Sequence, residues 1–386
     1  MLFNKPLTMN NLENLSQLKD LITTRIICDV SLSSLDLDGC NFDNCVISNV
    51  NFAENNQDNR ELNRLSFKGA KLKNVSFGKA SLSNCDFDSD SKNNNITTIL
   101  QTSFKHCTLS SCRFRKARIE WSDFRYTEIN AGTFEESLIS YCDFYRAFLS
   151  GVILFRKASI EYSSINYTNF DTSVNFRKEN LYKGKILQEN KAQYIHFLKD
   201  WDVYGTGIRE NDQNKISDWD IEKSVAARYA DAEDIYKTLN GFWAGKGFLS
   251  DANWAYVKGR TMELGRMWKE LISGKLSFIK VINHIWLIVQ NCISNLLFGY
   301  GESMKKMIFT YIMLVFIFAY FFYANANIVD YSKSLFVSTK NMIGVGSEEL
   351  VNISPFVDFL NLIQTSIGIT LTGIFGFILG NKIRNK

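Results

Sequence analysis

The string Met342-Ile343-Gly344-Val345-Gly346 lies between two uncharged apolar stretches, Met307 to Val329 and Phe359 to Asn381. A glycine doublet in that setting suits one chemistry, the ligation of a cation by backbone carbonyls. Successive carbonyls face the same side only when alternate residues take positive φ, where a Cβ clashes and glycine has none. The carbonyls of Met342, Ile343, Gly344 and Val345 would then stand in for the hydration shell of a monovalent cation. Irregular backbone is tolerated at membrane depth only where it lines water or is buried in protein. Such a string therefore implies that several copies of the chain assemble around it.

Several elements must hold this string. At about 1.5 Å per residue each apolar stretch is long enough to cross ~30 Å of hydrocarbon. Tyr331 to Asn341 has the length and Ser/Thr/Phe content of a re-entrant pore helix, with Ser338 and Thr339 just ahead of the glycines. Beyond them, Glu348 and Glu349 form either an outer acidic ring that concentrates cations or a solvated loop. Lys305 and Lys306 precede the first stretch and Lys382, Arg384 and Lys386 follow the second, whereas the loop between carries four acidic residues and two lysines. The positive-inside rule places both ends in the cytoplasm. Met1 to Arg25 has no apolar core of a signal peptide, so the large N-terminal part is expected in the cytosol. Between Val281 and Gly301, apolar Ile282, Ile285, Trp286, Val289 and Ile293 oppose Asn283, Gln290 and Ser294. That pattern reads as an amphipathic helix in the lipid interface, with a third, polar-striped span as the alternative.

The N-terminal part repeats every five residues. Apolar centres occur at Leu37, Phe42, Ile47 and Phe52, at Phe67 to Phe87, and from Phe104 through Leu109, Phe114, Ile119, Phe124, Ile129, Phe134, Ile139, Phe144 and Leu149 to Leu154. Two residues before most centres sits a small or compact side chain, such as Cys40, Ala70, Cys107 or Ala147. Neither the helical nor the strand period fits. The pattern resembles that of pentapeptide-repeat proteins, which implies a right-handed quadrilateral β-solenoid over residues 30–178, with four pentapeptides to a coil. One-residue slips are expected near Ile160 and Phe176, and polar loops at Ala53 to Arg64 and Asp88 to Gln101. Since one repeat cannot bury its own apolar face, the coils must share one interior.

This register explains the cysteines. Six of eight (Cys40, Cys45, Cys85, Cys107, Cys112 and Cys142) occupy the small inward position as compact hydrophobes. With no CxxC pair and three dispersed histidines, neither a metal site nor a cofactor is expected. Nucleic-acid mimicry needs a strongly acidic column, yet residues 30–178 hold 17 Asp/Glu against 18 Lys/Arg, so no nucleic-acid partner is expected. No catalytic motif has recognisable spacing, which excludes an enzyme reading.

Between the repeats and the apolar stretches, Leu181 to Asp218 reads as a linker with one helix around Gln193. A stripe of Val225, Ala226, Tyr229, Ala232, Ile235, Tyr236 and Leu239 predicts a helix ending at Asn240-Gly241, and a second helix starts near Ser250-Asp251. The strings AEDIYKTLN and ANWAYVKGRTMEL, and Gly299-Tyr300-Gly301-Glu302 ahead of the first span, resemble bacterial pentapeptide-repeat proteins with a C-terminal two-transmembrane, potassium-channel-like ion-transport domain. The expected class is thus a multidomain β + α membrane protein: a pentapeptide β-solenoid, a helical linker hairpin, and a two-transmembrane-helix pore domain with a re-entrant pore loop. The segments are an N-terminal cap (1–29), solenoid (30–178), helical linker region (179–275), amphipathic interfacial helix (276–304) and pore domain (305–386).

The resemblance implies a homotetrameric cation channel of the bacterial inner membrane, in contact with lipid, whose cytosolic solenoid senses a ligand or binds a protein. Met342 to Gly346 fill the place of Thr-Val-Gly-Tyr-Gly in potassium channels. Met342 stands where threonine adds a hydroxyl ligand at the innermost site, Val345 replaces an aromatic, Ser347 replaces an aspartate, and Lys340 lies two residues ahead. These departures leave potassium selectivity open. A membrane-tethered scaffold is the alternative.

Overall fold

The computed structural model describes residues 10–12, 14–53, 60–204, 218–274, 276–325, 330–345 and 355–384. The chain divides into two compact units, Met1–Ala255 and Tyr256–Lys386.

The first unit is a β-solenoid of parallel strands in an eight-stranded and a six-stranded sheet. Glu128 pairs with Thr108 on one side and Phe148 on the other, an advance of 20 residues each way, or four five-residue segments per coil. From Phe104 to Leu149, the residue two places after every centre is left-handed: His106, Ser111, Lys116, Trp121, Tyr126, Ala131, Glu136, Tyr141, Arg146 and Gly151. Such backbone is costly for residues with a Cβ. It is held because each turn's amides pair with the coils above and below, as His106 N does with Arg125 O. Inside, phenylalanines form two columns. Phe67, Phe87, Phe114 and Phe134 stack at 4.8 Å between centroids. Phe77, Phe104, Phe124 and Phe144 stack at 4.8 to 5.0 Å, meeting the first column edge-on. The column thus adds ring–ring contacts to its apolar burial. The inward thiols donate to backbone carbonyls of the preceding coil, as Cys107 Sγ does to Gly78 O at 2.9 Å. Burial raises the Cys107 and Cys142 thiols well above the usual range, which keeps them protonated.

Two expectations about the register change. The five-residue count breaks before Leu154, because the strand Phe148–Leu154 carries a bulge opposite Asn130 and Gly132. Val152 loops outward, and Phe155 rather than Leu154 enters the column to stack on Phe134 at 5.2 Å. Ile160 and Ile165 then follow Phe155 by fives, so the slip expected near Ile160 lies at residues 151–152. The solenoid also begins earlier than residue 30. Strand Ile26–Ser31 pairs in register with Val46–Asn51, and helix α1 (Leu15–Thr24), N-capped by Asn14, precedes it. Of the loop expected at Ala53 to Arg64, residues 54–59 lie outside the described residues.

The solenoid's C-terminal coils are covered by its own chain. Helix α2 (Lys191–Tyr204) places Tyr194 and Phe197, with Leu187 ahead of it, against the outer Trp121, Tyr141 and Tyr162. Helix α3 (Asp218–Gly245) does not stop at Asn240-Gly241 but runs on to Gly245, with the left-handed turn at Gly247. The continuation buries Trp243 completely and lets its Nε1 donate to Phe176 O at 2.7 Å. Tertiary burial here outweighs the local C-cap signal. Helix α4 (Leu249–Ile272) opens with buried Asp251, which accepts from Arg177 Nε at 2.5 Å.

In the second unit, α5 (Phe278–Phe298) ends on left-handed Gly299, followed by α6 (Met304–Asn325), α7 (Tyr331–Ile343) and α8 (Pro355–Arg384). Among the described residues three helices are long and apolar enough to cross a membrane: α5, α6 and Pro355–Gly380 of α8. The sequence reading has two spans, with α5 in the interface. Its composition also meets the requirement for a span because only Lys280 and His284 interrupt it.

Candidate functional site

α7 has 13 residues, about 20 Å at 1.5 Å each, too short to span a bilayer. It starts on Asp330, whose carboxylate accepts from Ser332 N at 3.0 Å and is held below the usual range chiefly by the Ser332 hydroxyl. An acidic N-cap favours the helix twice, by satisfying an orphan amide and by facing the positive end of the dipole.

Of the residues expected to form the pore helix, Ser338 is fully buried. Its hydroxyl donates to Val315 O at 2.8 Å, midway along α6, and accepts from Gln364 Nε2 of α8 at 2.6 Å. Gln364 Nε2 also reaches Ser338 O at 2.9 Å, and its Oε1 accepts from Asn341 Nδ2 at 3.2 Å. Thr339 only donates back to Leu335 O, one turn earlier. A buried amide in apolar surroundings is costly unless its hydrogen bonds are made, and Gln364 makes three. Gln364, Asn341 and Gly368 were not singled out from sequence. The signal was there in Gln364, one of few amides inside an otherwise apolar stretch.

Met342 differs from expectation. It remains helical in the last turn of α7, and its side chain is fully buried in a cluster with Met307, Val315, Leu371 and Ile378. Its carbonyl lies against α8 at Gly368, where an added Cβ would sit 2.3 Å from Met342 O. The Met342 side chain is thus engaged in helix packing, and its carbonyl abuts Gly368. Ile343, also helical, projects outward at 61% exposure, and Val345 at 68%. Between them Gly344 is left-handed, φ 83°, and closes the helix with its N–H on Asn341 O while Val345 N reaches Lys340 O. An added Cβ at Gly344 would meet Ile369 Cγ1 at 3.2 Å. Lys340 folds back over the Phe336 ring at 4.5 Å. Gly346, Ser347, Glu348 and Glu349 lie outside the described residues.

No protein-family model matches the chain, and no curated protein matches it. Solved structures of pentapeptide-repeat proteins do. One, from the Arabidopsis thaliana thylakoid lumen, is 22% identical and aligns over 28% of this chain and 64% of its own, with a TM-score of 0.17. The plasmid-mediated fluoroquinolone resistance protein QnrB1 is 13% identical over 46% of this chain and 95% of its own, TM-score 0.21. HetL of Nostoc, involved in heterocyst differentiation regulation, is 13% identical over 46% and 93%, TM-score 0.16. The chain thus spans less than two thirds of the first of these. At such identities the likeness concerns fold alone, and the β-solenoid itself is established by the 20-residue register and the phenylalanine columns.

Proposed function

We propose that the chain forms a cation-conducting pore as a homotetramer in a bacterial inner membrane, with the solenoid as a cytosolic sensing or protein-interaction domain. The observation that supports this most is α7: a helix too short to span, tied at Ser338 to the middle of α6 and to α8, and ending in a left-handed glycine. A membrane tether has no use for such an element. The cation-facing carbonyls belong to the string that ends α7, at Ile343, Gly344 and Val345, with the Met342 side chain as the buried anchor behind them. Ile343, Val345 and Ile369 leave large apolar surfaces around Gly344 uncovered, as expected of a site that further copies complete. The lysines at both ends of the hairpin put the solenoid in the cytosol. Glu348 and Glu349, four copies each, make the outer mouth negative and draw in monovalent cations.

Recording from purified full-length protein in planar bilayers, with potassium chloride and sodium chloride on opposite sides, tests the reading. A reversal potential set by cations, from a species that native mass spectrometry finds tetrameric, is the expected result. Absence of current, or anion-selective current, from a folded tetramer overturns it.

A further inference from the structure

We infer that Gln364 and Gly368 of α8 are positioning residues that set the conformation of Gly344 and hence the ion selectivity of the site; this rests on the pore reading above. The two contacts fall on one ladder. Gln364 grips Ser338, and four residues on, Gly368 receives Met342, four residues beyond Ser338. Both helices advance one turn between contacts, so they run in the same sense and engage at two successive turns. Ile369 then lies beside Gly344. Alongside the Ser338 bond to Val315 O of α6, three contacts ahead of and beside the left-handed glycine thus come from α8 within six residues.

The two contacts have different chemistry. At Gly368 the absence of a Cβ brings backbone onto backbone, and no side-chain motion relieves an added methyl 2.3 Å from Met342 O. At Gln364 the grip consists of hydrogen bonds, beside a buried Asn341 Oδ1 that itself accepts none. Loss of the Gln364 amide leaves the Ser338 hydroxyl to Val315 and Asn341 Nδ2 without its acceptor, in surroundings that offer no water. The α7 C-terminus is then free to rotate about its axis, and the carbonyls after it rotate with it.

The experiment uses full-length protein reconstituted in vesicles, in a Cys292→Ser background carrying Val345→Cys. Gln364→Met keeps the length of the side chain and removes its hydrogen bonds; Gly368→Ala adds the forbidden methyl; Ser338→Ala breaks the grip from the other helix; Phe309→Ala, an exposed position on α6, is the control. Three quantities are read: tetramer by native mass spectrometry, reaction rate of the residue-345 thiol with a membrane-impermeant methanethiosulfonate, and the potassium-to-sodium permeability ratio. We expect tetramers throughout. Thiol reactivity should change about tenfold in the first three variants, the scale of one buried hydrogen bond, with a parallel change in permeability ratio and neither change in the control. Reactivity and permeability unchanged in intact tetramers would overturn the inference, as would loss of the tetramer in all three, which would make the residues determinants of assembly. If thiol reactivity responds but wild type carries no current, the grip is real and the pore reading is what fails.

Discussion

Large apolar side chains are used in opposite ways by the two units. In the solenoid, Phe77, Phe87, Phe104, Phe114 and Phe124 are wholly buried by neighbouring coils of the same chain. In the helical unit, Phe309, Tyr320, Leu362 and Ile369 are 59 to 68% exposed. The polar groups reverse as well. The solenoid turns its Asp, Asn and Arg outward or pairs them at the corners, as Arg125 pairs with Asp123 at 2.7 Å, whereas α6, α7 and α8 sequester Ser338, Asn341 and Gln364 at their centre. The solenoid buries its apolar side chains within its own stack and under the helices that cover its last coils. The arrangement of the helical unit suits a medium without water, where exposed hydrocarbon costs little and an unpaired amide costs much.

The contrast is broken hardest at Phe124. Phe124→Asp strands a carboxylate between Phe104 and Phe144, at a cost of about 4 kcal/mol or more. Limited proteolysis should open the neighbouring coils while the helical unit stays folded; unchanged resistance would mean that the columns are not what holds the solenoid.

In the helical unit the sharpest change is Gly344→Val. A β-branched side chain at φ 83°, against Ile369, costs about 1–3 kcal/mol of strain in each subunit. Bilayer current should vanish while tetramers persist, and wild-type conductance in this variant would remove Gly344 from the ion path. Met342→Thr is a milder test of the same region. Since Met342 fills the cluster around Val315 and Leu371, the loss of volume should destabilise the helical unit by about 2 kcal/mol. The permeability ratio should hold within about twofold, because the added hydroxyl faces no ion. A large rise in potassium preference would return Met342 to the ion path.

The smallest effect lies in the solenoid's polar corner. Burial first, then the adjacent Asp123 carboxylate, raise Asp143 to about 6 against the opposing pull of Arg125. A raised carboxylate binds its proton more tightly folded than unfolded. Stability is therefore gained as pH falls from about 6 toward the ordinary carboxylate value, and the gain is absent above 6. Hydrogen exchange of residues 122–164 should show these coils about 1–2 kcal/mol more stable at pH 5 than at pH 7.5, a difference that Asp143→Asn abolishes. An equal difference in that variant would assign it to other groups.

The sequence by itself determined the features that repeat or accumulate along the chain. A five-residue period over many coils leaves one way to share an interior, and two uncharged runs of span length leave few environments for a helix. Ser338 was legible as a polar residue ahead of the glycines. Only the tertiary structure decided where local signals yield. Asn240-Gly241 carries a helix-stop signal, yet α3 continues because Trp243 finds a buried partner at Phe176, 67 residues away. Leu154 keeps the period, yet Phe155 takes the core position because a bulge is accommodated opposite Gly132. Met342 sits where a filter ligand belongs by position, but packing against Gly368, 26 residues later, turns it inward. The period and the span length are each a property of neighbours in the chain, whereas these three outcomes depend on which distant surface each residue meets.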